Sequence, residues 1–437
     1  MIIIGTGFLI VFILLIAYVY NPNKRPLLTE SDWTTHKTPW WQLYYSSKYL
    51  CPVRKPARGS ELQKLFASDM GPDSNSQELN NEREVIIKAV GDLMCRRDLV
   101  DKGGETLWDQ IGEHVFSGDL RMANLEFAVN PDWIIEKLLR YSVPENYAIP
   151  LLGDKRFGLF NCVFLANNHI NDSLSAGIVS TCNFLDKMNV SFVGANRTKQ
   201  ESEKFPIFNC NGLKIAVLSY TFSTNGILLE PGFEHGTNLV RFNALKDEDY
   251  DPSMIYNHVD SAKKQGADII IASNHWGVEF EYYPPERIVR RAHDLCECGI
   301  DLIIGHHPHI INMSERYRTS DNREAVILYS LGNITSWGLK FTMQKVSEVA
   351  EIRIKTGLDS DNKKITRIGE VTLMPVLHTM NKNGGVKYHR LIPVLSTVKK
   401  IRSGEKTEYL SAKDKMMLFS AYKEYNKHLI QKGFKYI

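Results

Sequence analysis

Four of the chain's thirteen histidines fall in two short stretches, Asn274-His275-Trp276-Gly277 and Gly305-His306-His307-Pro308-His309. Each follows an apolar run, Ile269-Ile270-Ile271-Ala272 and Leu302-Ile303-Ile304, of the kind that forms a buried strand. A hydrophobic core has no use for clustered imidazoles. Neutral imidazole is the commonest side-chain ligand for zinc, iron and manganese, and otherwise serves mainly in acid–base chemistry. Any one of these histidines is as readily a satisfied core or surface residue; the set points to a metal site.

The upstream strands end in ligand-type residues too. Val85–Val90 leads into Gly91-Asp92, Leu120–Ala123 into Asn124-Leu125-Glu126, and Cys162–Ala166 into Asn167-Asn168-His169, with Asp172 one turn on. Singly these mean little: Gly-Asp is a common turn dipeptide, and Asp172 alone fits a helix N-cap. Their order is specific, with carboxylate, carboxylate, amide plus imidazole, imidazole and imidazole after successive strands. Hard oxygen mixed with borderline nitrogen suits Mn²⁺, Fe²⁺ or Zn²⁺, and a shared carboxylate can bridge two ions that deprotonate a water and clamp the reacting centre.

Such residues need a scaffold that gathers strand ends. Further apolar runs lie at Val190–Val193, Ile215–Leu218 and Val326–Tyr329, and apolar spacing of three and four predicts helices at 106–116, 173–189, 253–265 and 285–298. This alternation predicts an α/β fold whose strands are covered on both faces, with ligands beyond their carboxyl ends. Glu348–Ile354 and Glu370–Met374 alternate on either side of Asp359-Ser360-Asp361-Asn362, a hairpin signature, and 411–429 reads as one amphipathic helix. The expected organisation is a core domain over 84–376 and a C-terminal extension over 377–437.

The net charge of +3 creates no long-range field toward nucleic acid, and no arginine-rich run appears, so nucleic-acid binding is set aside. Seven scattered cysteines form no disulfide framework and read as small hydrophobes. Residues 2–20 are apolar and uncharged, long enough at ~1.5 Å per residue to cross a bilayer core. They end in Tyr18-Val19-Tyr20 rather than a small-residue cleavage site, so the expectation is an uncleaved anchor over 1–20 and a proline-containing juxtamembrane linker over 21–83. Lys24, Arg25 and Lys37 after the anchor vote for a cytoplasmic domain.

The motifs Gly91-Asp92-Leu93-Met94 with Arg97, Asn124-Leu125-Glu126, and Ala166-Asn167-Asn168-His169 with Asp172 resemble those of the bacterial capsule-synthesis CapA (poly-γ-glutamate synthesis) family. So do His275-Trp276-Gly277-Val278-Glu279, Gly305-His306-His307-Pro308-His309 and Tyr329-Ser330-Leu331-Gly332-Asn333. That family is a branch of the calcineurin-like metallophosphoesterase superfamily. The resemblance implies a sandwich of mixed β-sheets flanked by helices. It also implies one or two divalent ions (Mn, Fe or Zn) held by Asp92, Glu126, Asn168, His275, His307 and His309. His169 would give a proton to the leaving group, Asp172 would orient His169, and Arg97 would clamp a phosphate or carboxylate unless it makes a surface ion pair. His306 falls in the outer shell; Trp276 and Glu279 are structural or line the cleft. Met94 stands where ordinary members of the superfamily carry a histidine, which leaves one imidazole fewer. Ile334 replaces a phenylalanine, a packing swap.

The resemblance also places the domain outside the membrane, and because it spans the whole domain it outweighs three charges. Two functions follow. The first is a membrane-anchored, metal-dependent hydrolase of a phosphoester or of an amide-linked polymer such as poly-γ-glutamate. The second is a non-catalytic subunit of a complex that synthesises or exports an anionic polymer.

Overall fold

Alternation within the apolar strands decides the layering. In the run Ile269–Ala272, Ile269 and Ile271 pack with Val85, Ile87 and Leu302, whereas Ile270 and Ala272 pack with Ile255, Val259 and Leu295. One set faces a second sheet and the other faces helices, which is why these strands read as unbroken apolar runs. The computed structural model describes residues 54–56, 58–67, 79–100, 103–131, 140–335 and 341–437; the expected anchor over 1–20 and most of the linker over 21–83 lie outside them. Among the described residues no helix is long and apolar enough to cross a membrane.

Two large sheets carry the fold, one of eight strands and one of six. In chain order their strands are β1 (Asn80–Leu93), β2 (Leu120–Leu125), β3 (Cys162–Phe164), β4 (Ser191–Val193), β5 (Ile207–Cys210), β6 (Leu213–Thr221) and β7 (Ile269–His275). They continue with β8 (Leu302–His306), β9 (Ser314–Arg318), β10 (Glu324–Leu328), β11 (Val346–Leu358), β12 (Lys364–Asn383), β13 (Val386–Pro393) and β14 (Lys435–Tyr436). The larger sheet runs β13-β12-β11-β1-β2-β3-β4, with β14 beside β12; the smaller runs β9-β10-β8-β7-β6-β5. Strands β1 to β4 are mutually parallel, as are β6, β7, β8 and β10, and antiparallel strands close both edges of the smaller sheet and the β13 edge of the larger. The mixed α/β sandwich expected from the sequence is present.

Parallel pairing brings chemistry to one level. Asp92 pairs with Asn124 across β1 and β2, and His275 pairs with His306 across β7 and β8. The two sheets are tied at this end, where Asp92 N–H donates to Gly332 O (2.8 Å) and Thr335 N–H donates to Asp92 O (3.3 Å). Helices α1 (Leu174–Lys187), α2 (Ser253–Lys264) and α3 (Glu286–Cys298) cover the outer faces, close to the expected ranges.

Two expectations differ from what is observed. The helix expected over 106–116 is confined to Gly112–Phe116. The preceding residues dock on β13 instead: Thr106 Oγ1 donates to His389 O and Leu391 N–H to Leu107 O, bonds that compete with helical ones. The boundary expected at residue 376 falls inside β12, and β13 and β14 extend the same sheet. Leu377 and Ile392 need cover, which Leu418, Ala421 and Tyr425 of helix α4 (Ala412–His428) provide.

Helix α4 is also tied to the sheet by Tyr425 Oη, which donates to the buried carboxyl of Glu348 on β11. Burial pushes Glu348 from its ordinary 4.5 up to about 8, against the lowering effect of that hydrogen bond. A raised acid is held protonated in the fold, so its contribution is complete below pH ~4.5 and is lost as pH rises toward 8, by roughly 5 kcal/mol at the limit. Glu348→Gln, neutral at every pH, is expected to unfold near the wild-type midpoint at pH 5 and several degrees above it at pH 8. Thermal melts at the two pH values check this, and parallel wild-type and variant pH profiles would refute it.

Candidate metal centre

The larger sheet contributes the oxygen donors. Asp92 at the end of β1 and Glu126 just past β2 are side by side and fully buried, with Glu126 N–H donating to Leu93 O at 3.2 Å. Asp92 Oδ1 accepts from Asn124 Nδ2 at 2.9 Å and faces His306 Nδ1 at 2.7 Å. After β3 the chain turns sharply. Asn167 latches the turn, donating to Leu125 O (2.8 Å) and accepting from His169 N–H (3.1 Å), which presents Asn168 and His169 at the same level.

The smaller sheet contributes imidazoles. His275 ends β7, and its Nε2 lies 2.9 Å from Asn168 Oδ1. His307 and His309 follow β8 with φ of +94° and +54°, in the left-handed region that side chains avoid at a cost of about 1–3 kcal/mol each. That backbone is held from outside: Phe280 N–H donates to Pro308 O (2.7 Å) and Trp276 N–H to His306 O (3.1 Å), binding the two histidine loops together. Asn333 Oδ1, 2.9 Å from His309 Nδ1, accepts the hydrogen bond from that nitrogen and leaves Nε2 facing Glu126 Oε1 at 3.5 Å. An outer partner that fixes the tautomer of an imidazole is typical of metal-binding histidines.

Three trios have ligand atoms within 4.8 Å of one another: Glu126 with His275 and His307, Asp92 with Glu126 and His309, and Glu279 with His307 and His309. Glu126 is shared by the first two, as a bridging carboxylate would be. Whether a divalent cation suits this set is decided by Glu126, whose two oxygens are buried without a hydrogen-bond donor. Burial pushes its pKa well above the usual carboxylate range, His309 opposes that, and the charge of Asp92 adds to it. Burial also acts to raise Asp92, but His306 and His309 hold it well below its usual value. Burial resists protonation of His309, yet Glu126, Asp92 and Glu279 lift its pKa to about 10. His275 is held neutral by burial and by its histidine neighbours. Two carboxylates in a low-dielectric pocket thus favour positive charge, which the His309 proton supplies and a cation could replace, and the neutral His275 stands ready to ligate it; the residues fit a divalent ion.

Of the site residues expected from the sequence, Asp92, Glu126, Asn168, His275, His307 and His309 converge here. His169 and Asp172 meet beside them, Nδ1 to Oδ2 at 2.7 Å. Asp172 is fixed by an N–H from Tyr141, whose ring packs 4.4 Å from that of His169. His306 sits against Asp92, in no ligand trio. Arg97 opens a short 3₁₀ turn, and its side chain lies outside the described residues. Trp276 is structural, donating from Nε1 to Tyr329 O and packing on Phe242, whereas Glu279 faces the site. Asn225 escaped the sequence reading. It accepts from Asn168 Nδ2 (3.0 Å), its own Nδ2 lies 3.4 Å from His169 Nδ1, and it sits in a loop with φ of +53°; only its left-handed conformation marks it, and that is invisible in sequence. A cavity of about 1170 Å³ opens elsewhere, between the sheets near Ile269 and Lys355, but its charges satisfy one another, Arg316 with Glu324 and Arg323 with Asp301.

Comparison with known proteins converges on one family. Residues 86–336 match the family described as "Bacterial capsule synthesis protein PGA_cap". "Capsule biosynthesis protein CapA" of Bacillus anthracis is 26% identical over 316 residues, spanning 69% of this chain and 72% of that protein. "PGA biosynthesis protein CapA" of Bacillus subtilis (strain 168) is 28% identical over 255 residues, spanning 56% of this chain and 61% of the relative. Among solved structures, a 5'-nucleotidase from Candida albicans SC5314 aligns over 80% of this chain and 58% of its own, at 11% identity and a TM-score of 0.35, too slight a likeness to argue from.

The unsatisfied charge at Glu126 has a measurable consequence. Glu126→Gln is expected to leave the metal-free protein as stable as wild type or more so, by about 1–2 kcal/mol, because a buried acid is removed. Saturating Mn²⁺ is expected to raise the wild-type melting temperature and to lose most of that effect in the variant. Equal Mn²⁺ shifts in the two proteins would show that Glu126 holds no ion.

Proposed function

The chain belongs to the bacterial capsule synthesis protein family PGA_cap, and from that membership and the geometry above we propose that it is a metal-dependent hydrolase. Its substrate is a phosphoester or an amide-linked polymer such as poly-γ-glutamate. The observation that carries this reading is the buried pair of His169 Nδ1 and Asp172 Oδ2 at 2.7 Å, set next to Asn168 in the ligand cluster. Asp172 Oδ2 accepts the hydrogen bond from Nδ1–H, which leaves Nε2 as the ring atom open to proton transfer. The Tyr141 ring packs against the imidazole. Asp92, Glu126, Asn168, His275, His307 and His309 would hold a divalent ion, which would supply Lewis-acid chemistry and activate a water. His169 then donates the proton that the leaving oxygen or nitrogen requires.

A second reading, a non-catalytic subunit of a polymer synthesis or export complex, is favoured by Met94. It stands two residues past Asp92, where a further imidazole would complete a ligand set, and its thioether is a poor ligand for Mn²⁺ or Zn²⁺. Two homologues from Mycobacterium tuberculosis, 28% identical over 176 residues, carry the name "Probable polyglutamine synthesis accessory protein". Under either reading we place the domain outside the cell on a single-pass anchor at residues 1–20. Protease accessibility on intact cells tests that placement, and full protection would overturn it.

The two functions separate in one experiment. The purified full-length chain, loaded with Mn²⁺, is expected to turn over a generic phosphoester or poly-γ-glutamate. His169→Gln is expected to keep its metal and lose about 10²–10⁴-fold in kcat. Turnover unchanged in the variant, or none in metal-loaded wild type, would leave the accessory role.

A further inference from the structure

The proposed hydrolase centre contains one carboxylate whose role neither reading assigns. Glu279 follows β7 by four residues, is nine-tenths buried, and brings a carboxylate oxygen within 4.8 Å of ligand nitrogens on both His307 and His309. Its placement is built into the fold at several points. Asn243 clasps Gly277 on both sides, accepting its N–H at 2.9 Å and donating to its O at 2.7 Å. Phe280, at φ +63°, is pinned to Pro308 O, and Asn312 Nδ2 donates to Glu281 O. A bulky residue held in the left-handed region directly after a buried acid is strain that only a fixed side-chain position justifies.

The neighbouring set needs another donor. Asp92, Glu126 and His309 form a trio with only three protein ligands, in which Glu126 has no hydrogen-bond donor on either oxygen. Met94, which by strand alternation shares a face with Asp92, brings sulfur and no hard donor. We propose that Glu279 is a metal ligand that enters the centre between His307 and His309, adding a carboxylate to the position that His309 shares with Asp92 and Glu126. This rests on the metal-centre reading above and adds to it a selectivity. Three carboxylates with one imidazole make an oxygen-rich, triply negative position, which favours Mn²⁺ over Zn²⁺ relative to an imidazole-rich site. The second position, with Asn168, His275 and His307 around Glu126, is richer in nitrogen.

Metal binding to the stripped full-length chain, measured by equilibrium dialysis with elemental analysis, tests this without reference to turnover. Glu279→Gln is expected to lose one Mn²⁺ per chain, or to weaken one Mn²⁺ by at least about tenfold. Glu279→His is expected to retain the ion and to shift its preference toward Zn²⁺ by about tenfold or more, which also shows that the loop still folds. Unchanged Mn²⁺ stoichiometry and affinity in Glu279→Gln would overturn this assignment and leave the metal centre standing. Wild-type protein that binds neither ion would overturn both.

Discussion

Two carboxylates buried side by side set the terms for the rest of the molecule. Asp92 and Glu126 sit at adjacent parallel strand ends, out of contact with water, and neither can move far, because the β1–β2 register places them. Like charges in a low-dielectric interior repel strongly, so positive charge must come from somewhere. It comes from across the sandwich: every imidazole facing the pair except His169 belongs to the other sheet. The seam between the sheets is apolar along most of its length and electrostatic at one end. There it is closed by His306 on Asp92, by His309 between Asp92 and Glu126, and by backbone bonds between Asp92 and the Gly332–Thr335 segment.

This arrangement explains the strained backbone. Strand β8 delivers His306 naturally, since it is the last residue of the strand, but a strand points alternate residues to opposite faces and cannot present two consecutive imidazoles to one centre. The chain meets that demand by taking His307 and His309 into the left-handed region, with Pro308 between them pinned through its carbonyl to Phe280. A metal ion returns the strain energy through ligand bonds. Without an ion the same loop is held by these backbone bonds and by His309's contacts with Asn333 and the carboxylates.

Much of this was legible in sequence because strand ends are local features. An apolar run followed by Asp, Asn-His or His states both the element and the side chain that leaves it, and β3, β7 and β8 all fall where Cys162–Ala166, Ile269–Ala272 and Leu302–Ile304 put them. What could not be read was non-local. The 106–111 segment has helical spacing but is captured by the backbone of β13, far away in the chain. The alternation at Glu370–Met374 announces a strand without saying that it continues to Asn383, because the partner that extends it, β13, carries no pairing signal of its own. Glu279 reads from sequence as structural or cleft-lining, and what puts it at the centre is the hold of Asn243 and Pro308 on its loop. Asn225 gave no signal at all.

The choice between an enzyme and a binding module turns on a detail of Asp172. Its side chain is fully buried, with Oδ2 shared between Tyr141 N–H and His169 Nδ1 and Oδ1 without a donor. If the residue served only to cap Tyr141 and brace a turn, an asparagine would do so at lower cost, since a buried carboxylate oxygen without a partner is expensive. An amide, however, stabilises imidazolium no better than neutral imidazole, whereas a carboxylate favours the charged form. A carboxylate in hydrogen-bond contact with His169 Nδ1 is therefore the arrangement that the proposed general-acid role asks for.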